Sequence, residues 1–203
     1  GKGFGMSQGT RASLLGAMLE PGLFFNDGAR QPGLGGLRTR KFELDGREVA
    51  AISVPGSECI ALPASFPQLK DVNVYLGWFG MFSPVMSGLS HAQSLLLRVP
   101  LYQRALGWAA ARVGSSGGGP DEAQRAASGS HIVAVAYDAG DKALATAELR
   151  GVNGYTYTAG MLAWGAGQAL AGKVLGSGAL GPVAAFGLPA LIEGNREAGL
   201  ELS

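Results

Sequence analysis

Two places in the chain join alternating runs through a tight-turn signature. Asp45-Gly46 stands between residues 37–44 and 48–54, and Ala139-Gly140-Asp141 stands between residues 131–138 and 143–150. Gly and Asp tolerate the positive φ that a short hairpin loop demands, so each pair of runs reads as an antiparallel hairpin. Hairpins in both halves of the chain, separated by helical patterns, argue for an α+β class and against a doubly wound parallel sheet. The expected architecture is one open mixed sheet, largely antiparallel, with helices packed on one face and no complete Rossmann domain.

The remaining segments fit around those hairpins. Ser7-Gln8-Gly9-Thr10 precedes Leu14, Leu15, Met18 and Leu19, whose spacing makes one apolar helix face. Ser7 or Thr10 supplies an N-cap hydroxyl, and Pro21-Gly22 stops the helix. Residues 23–36 read as loop. Pro55-Gly56 ends the second strand, and a loop punctuated by Pro63 and Pro67 leads to a β-rich run at 72–76. Residues 83–113 read as helical, with Pro84 in the first turn and Pro100 dividing the stretch in two. A glycine-rich connector, 114–120, leads to Asp121, which caps a short helix. Tyr155-Thr156-Tyr157-Thr158 reads as a strand-to-helix junction with Thr158 as N-cap. An alanine-rich helix follows at 159–171, then a glycine-rich loop, then a short helix from Pro182 toward Glu193.

Composition removes several function classes. A net charge of +1, with 15% charged residues, supplies no field for nucleic acid. The single cysteine, Cys59, excludes an internal disulfide framework and a multi-thiolate zinc site. No hydrophobic leader and no apolar run of about 18 residues occurs, so a cytoplasmic protein without membrane contact is expected.

Individual motifs yield little chemistry. Gly1-Lys2-Gly3-Phe4-Gly5-Met6 lacks a preceding strand and a third glycine, so it fails as a dinucleotide loop. Gly167 to Lys173 has the Gly-x-x-x-x-Gly-Lys skeleton but continues with Val174, not the Ser or Thr that holds magnesium. Cys59 reads as a buried small hydrophobe, and His91 and His131 as hydrogen-bonded structural histidines. His91 is the more interesting because it lies in an apolar stretch. That stretch includes Met81, Phe82, Val85, Met86, Leu89, Leu95, Leu96, Leu97, Val99, Leu101, Tyr102, Leu106 and Trp108. It is too apolar for a free surface helix, so it is core or a partner or lipid contact, with core plus dimer contact preferred.

Several segments together look familiar. Ser7-Gln8-Gly9-Thr10, Val54-Pro55-Gly56-Ser57-Glu58, Val72-Asn73-Val74-Tyr75-Leu76-Gly77-Trp78, Gly151-Val152-Asn153-Gly154-Tyr155-Thr156-Tyr157-Thr158-Ala159 and Gly178-Ala179-Leu180-Gly181-Pro182-Val183-Ala184-Ala185-Phe186-Gly187 occur in that order. In that order the chain resembles the second domain of bacterial saccharopine-dehydrogenase-like oxidoreductases. The resemblance implies that residues 1–203 form a single C-terminal domain, one that supplies substrate contacts and a homodimer surface. It implies that NAD(P) binds to an N-terminal Rossmann domain absent from this chain, which alone is then inactive. By residue chemistry, Tyr155 and Glu58 are the expected catalytic candidates. Ser7, Thr10, Tyr157, Thr158 and His91 are expected to contact a small-molecule substrate. The alternative is a non-catalytic module for dimerisation or for an apolar ligand or partner.

Overall fold

The computed structural model describes residues 20–44, 46–97, 99–102 and 119–202, together with residues 7, 9 and 104. The helix expected at residues 10–19 and the connector at 114–118 lie outside the described residues. The chain separates into two compact units, one within Met6–Gly117 and one reaching from Gly118 to Ser203. The α+β class holds. The described strands form three antiparallel sheets instead of one open sheet.

The first unit opens with a hairpin where the sequence suggests loop. β1 (Gly22–Asn26) pairs with β2 (Ala29–Gly33). The turn residues Asp27 and Gly28 have φ of 52° and 73°. Two successive positive φ values match the twist of the flanking strands, as in a type I′ turn. The second hairpin lies where expected, with β3 (Thr39–Leu44) against β4 (Arg47–Val54), and β5 (Val74–Leu76) adds to the other edge of β4. Gly46 adopts φ 69° in the turn.

The proline-punctuated loop also differs. It contains α1 (Glu58–Ser65), with Pro63 inside it, and Cys59 lies on this helix. α1 forms because Cys59 is drawn into a small core with Phe25 and Val72, flanked by Leu69 and Val74. The thiol points at the Val72 carbonyl, Sγ to O 3.5 Å.

α2 (Ser83–Leu96) has Pro84 in its first turn, as the sequence suggests. Its polarity is the reverse of expectation. Ser83, Ser87 and Ser90 are buried, while Met81, Phe82, Val85, Leu89, Leu95 and Leu96 are exposed. The serines recur at helical spacing and seat the helix on β3 and β4. Ser83 Oγ donates to the Ala50 carbonyl at 2.9 Å, and a Cβ on Gly36 would come within 2.3 Å of Ser90 Oγ. Only small side chains fit so close an approach. Beyond α2, Pro100, Leu101 and Tyr102 are helical, whereas Leu106 and Trp108 lie outside the described residues.

The second unit begins with α3 (Glu122–Ala126). Asp121 and Gln124 form a reciprocal capping box, which satisfies two orphan helix donors. β6 (Gly129–Tyr137) and β7 (Ala143–Val152) make the expected hairpin. α4 (Gly154–Leu170) starts five residues earlier than expected. Asn153 takes the cap because its Oδ1 accepts from the Tyr155 backbone N–H at 2.9 Å. Thr158 is therefore inside the helix, its hydroxyl bonded back to the Gly154 carbonyl at 2.7 Å.

The closing helix is also divided. α5 (Pro182–Phe186) and α6 (Leu188–Glu197) meet at Gly187, which has φ 78°. The tail forms β8 (Leu200–Leu202) on the free edge of β7. α6 lies against α4 through glycines. A Cβ on Gly194 would meet the Trp164 indole at 2.5 Å, and one on Gly160 would meet Ala198 at 3.1 Å. Trp164 packs edge-on against Phe186 at 5.0 Å between centroids, and Leu191 and Leu200 are buried in the same unit.

Candidate functional site

The expected site residues fall in both units. Ser7 is partly buried outside any helix, and Thr10 lies outside the described residues. Glu58 is exposed in the first turn of α1. His91 is exposed on α2, with Nδ1 2.9 Å from the Ser87 carbonyl one turn below. Tyr155, Tyr157 and Thr158 share the first turns of α4. The Tyr157 hydroxyl donates to Asn195 Oδ1 on α6 at 2.6 Å, and burial pushes its pKa above the ordinary tyrosine value. Tyr157 therefore ties α4 to α6.

A cleft of about 730 Å³ opens beside those residues, at the start of α4. Its walls are α3, the last turnless stretch of β7, the α4 cap and the beginning of β8. Arg125 and Glu122 come from α3, Arg150 from β7, Asn153 and Thr156 from the helix start, and Glu201 from β8. Two glycines, Gly151 and Gly199, line the floor and let β7 and β8 approach closely. Asn153 serves twice. Its Oδ1 caps α4, and its Nδ2 donates to Ser128 Oγ at 2.7 Å, fixing α3 relative to the helix start.

Charge is organised across the sheet. His131 and Arg150 are cross-strand partners, and Arg150 is also opposite Glu201. Glu148, two residues along β7 on the same face, accepts from Arg150 Nη2 at 2.8 Å and from His131 Nε2 at 3.0 Å. A carboxylate can only accept, so His131 Nε2 is the donor in this hydrogen bond. The Arg150 hydrogen bond, then that of His131, holds the Glu148 carboxyl below its usual range. A depressed folded pKa adds stability that is present above the unfolded carboxylate value and lost as pH falls through the folded one. Unfolding of the wild-type chain should therefore become easier below about pH 4.3, the ordinary glutamate value. Glu148→Gln should flatten that acid limb, and an unchanged acid limb in denaturant titrations would count against this role.

The cleft can bind but supplies little acid–base chemistry of its own. Its described lining offers guanidinium donors, two carboxylates, an amide and two hydroxyls, with no His, Cys, Tyr or Lys. Among the described residues no group of three or more His, Cys, Asp and Glu could hold a metal. The glycine-lysine segment 167–173 lies at the C-terminal end of α4, with Gly172 at φ 66°. Carbonyls and the negative dipole end gather there, so the segment does not fit a nucleotide phosphate. No described helix is long and apolar enough to cross a membrane.

Sequence reasoning missed Arg125, Arg150, Asn153 and Glu201 as neighbours. Asn153-Gly154 ahead of a helical run is a cap signature that could have placed the cleft's edge. Asn153→Ala should cost about 1 kcal/mol through loss of the α4 cap, read as a lower denaturation midpoint with an unchanged slope. Comparison with family models, curated proteins and solved structures gives no match.

Proposed function

We propose that this chain is the substrate-binding and dimerisation domain of an NAD(P)-dependent, saccharopine-dehydrogenase-like oxidoreductase, with the nucleotide held by a separate Rossmann domain. The observation that carries the reading is the cleft at the Gly151–Thr158 step. One of the five segments that carry the resemblance also builds a walled recess with two guanidinium groups and two carboxylates at a helix start. Arg125 and Arg150 would hold anionic parts of a substrate, and Glu122 and Glu201 cationic parts. Asn153 keeps the recess in shape. NAD(P), bound elsewhere, supplies the hydride chemistry. Tyr155, two residues after the Asn153 cap and beside the lining residue Thr156, is the proposed proton-handling residue. Glu58, exposed in the first turn of α1, is proposed from its residue chemistry as a second catalytic carboxylate.

A second reading, a non-catalytic module that assembles with a partner, is favoured by the outward apolar stripe of α2. NADPH titration followed by fluorescence separates the two in combination with the upstream coding sequence. The oxidoreductase reading expects no saturable NADPH binding by this chain, and codons upstream of Gly1 for a strand followed by Gly-x-Gly-x-x-Gly. Tight NADPH binding by residues 1–203 would overturn the placement of the nucleotide. An upstream sequence without that motif would favour the assembly module.

A further inference from the structure

We propose that Arg125 is the anchor for an oxyanion group of the ligand that the cleft takes up, and that Glu148 holds back the neighbouring Arg150. The cleft then presents one strong cation and one weak one. This ranks the two guanidinium groups of the reading above and rests on that reading. Both groups line the cleft, but they differ in what already holds them. Arg125 is half-buried, and its Nη1 donates to the Pro120 carbonyl at 2.6 Å. A carbonyl aims the guanidinium and leaves its charge uncompensated. Among the described residues no carboxylate forms an ion pair with Arg125, and no other side-chain N–H of Arg125 is engaged. Glu122, one turn earlier on α3, makes no ion pair with it either.

Arg150 is committed differently. Its Nη2 and Nε both donate to Glu148 Oε2, at 2.8 Å and 3.3 Å. This interaction is the largest cause of the depressed Glu148 carboxyl. The same attraction that keeps the proton off Glu148 offsets the pull of Arg150 on a second anion. His131 Nε2 donates to the same Oε2 at 3.0 Å, so Glu148 is held in place from β6 as well. Glu201 stands opposite Arg150 across the β7–β8 pairing and adds a further negative charge. An oxyanion entering at Arg150 therefore meets two carboxylates, whereas at Arg125 it meets a guanidinium with none paired to it. The planar fork of a guanidinium matches two oxygens of an oxyanion at once. The ligand is thereby oriented, with its anionic end at α3 and any cationic end toward Glu201 on β8.

Titration of the whole chain with sodium sulfate at constant ionic strength tests the ranking, read from the backbone amide signals of Ser128, Gly151 and Asn153, which line the cleft. Wild type should show saturable shifts. Arg125→Gln should weaken binding by about tenfold or more, the scale of a charge-assisted hydrogen bond. Arg125→Lys keeps the charge without the fork and should recover part of that loss. Arg150→Gln should weaken binding by less than about threefold, since most of its pull is already offset. Glu148→Gln keeps an accepting oxygen and removes only the charge, so it should tighten binding by about two- to fivefold, the range an exposed ion pair carries. A gain of affinity cannot come from a damaged fold, so this arm decides even where Arg125→Gln fails to fold. Tenfold weakening in Arg150→Gln with Arg125→Gln near wild type overturns the ranking and leaves the cleft reading intact. Glu148→Gln binding no tighter than wild type does the same. Wild-type signals that do not saturate overturn both the anchor and the cleft as a ligand site, while the upstream coding sequence still judges the oxidoreductase reading separately.

Discussion

Gly151→Ala should destabilise the unit reaching from Gly118 to Ser203 by about 3 kcal/mol or more, because overpacking against rigid atoms has no rotamer escape. A Cβ at Gly151 would lie 1.9 Å from the Gly199 carbonyl oxygen and 3.1 Å from the Leu200 Cα. Both obstacles are backbone. Gly199 cannot retreat easily, since it holds φ 91° and its carbonyl accepts from the Val152 N–H at 3.0 Å. The added methyl therefore separates β8 from β7, and with it Leu200, which is 1% exposed, from the core. The same movement opens the cleft between Arg150 and Glu201. Guanidinium unfolding measures the loss, and amide exchange at Val152 locates it. Gly167→Ala is the matching control. Nothing lies within 4 Å of its Cβ position in α4, so the better helix former should stabilise by up to about 1 kcal/mol. Equal midpoints for wild type and Gly151→Ala would show that the two strands are not held at the distance described.

What could be read from the sequence was local. Asp45-Gly46 and Ala139-Gly140-Asp141 specify hairpins because a turn's φ requirement is settled by two or three residues. Asp121 and Gln124 specify a helix start for the same reason. Asn26-Asp27-Gly28 carried an equal signal, but β2 is Ala-Arg-Gln-Pro-Gly, with no β-branched residue and a proline, so its strand character comes from pairing with β1 and not from propensity. α1 shows tertiary context overriding punctuation, because burial of Cys59 is compatible with Pro63 inside a short helix.

The orientation of α2 was not legible at all. Ser83, Ser87 and Ser90 and Phe82, Val85 and Leu89 are both valid helical faces, and the usual preference for buried apolar groups selects the wrong one. What decides it is long-range: the Ala50 carbonyl that accepts from Ser83, and the closeness of Gly36 to Ser90. The cleft was hidden for the same reason. Arg125, Arg150 and Glu201 lie on three elements: the β7–β8 register sets Arg150 opposite Glu201, and the Asn153–Ser128 hydrogen bond brings the end of α3 beside them.

Phe25→Ala should cost about 3–5 kcal/mol, the range for removing a buried phenyl ring. Phe25 joins β1 to the rest of its unit. Its ring packs on Cys59 and Val72, and its carbonyl accepts from the Val72 N–H at 2.9 Å. A two-stranded sheet such as β1–β2 is marginal without such packing. Cys59, the one cysteine in the chain, reports on this directly. Its thiol is fully buried, so it reacts with an aromatic disulfide reagent only when the core opens. When opening is fast relative to labelling, the rate follows the population of the open form. Since each 1.4 kcal/mol is a factor of ten, labelling of Phe25→Ala should be at least about a hundredfold faster than wild type. Phe66→Ala, at an exposed position after α1, should change the rate by less than about threefold, as surface substitutions do. Equal labelling of Phe25→Ala and wild type would mean that Cys59 is protected by something other than the Phe25 core, and β1–β2 would then need another anchor.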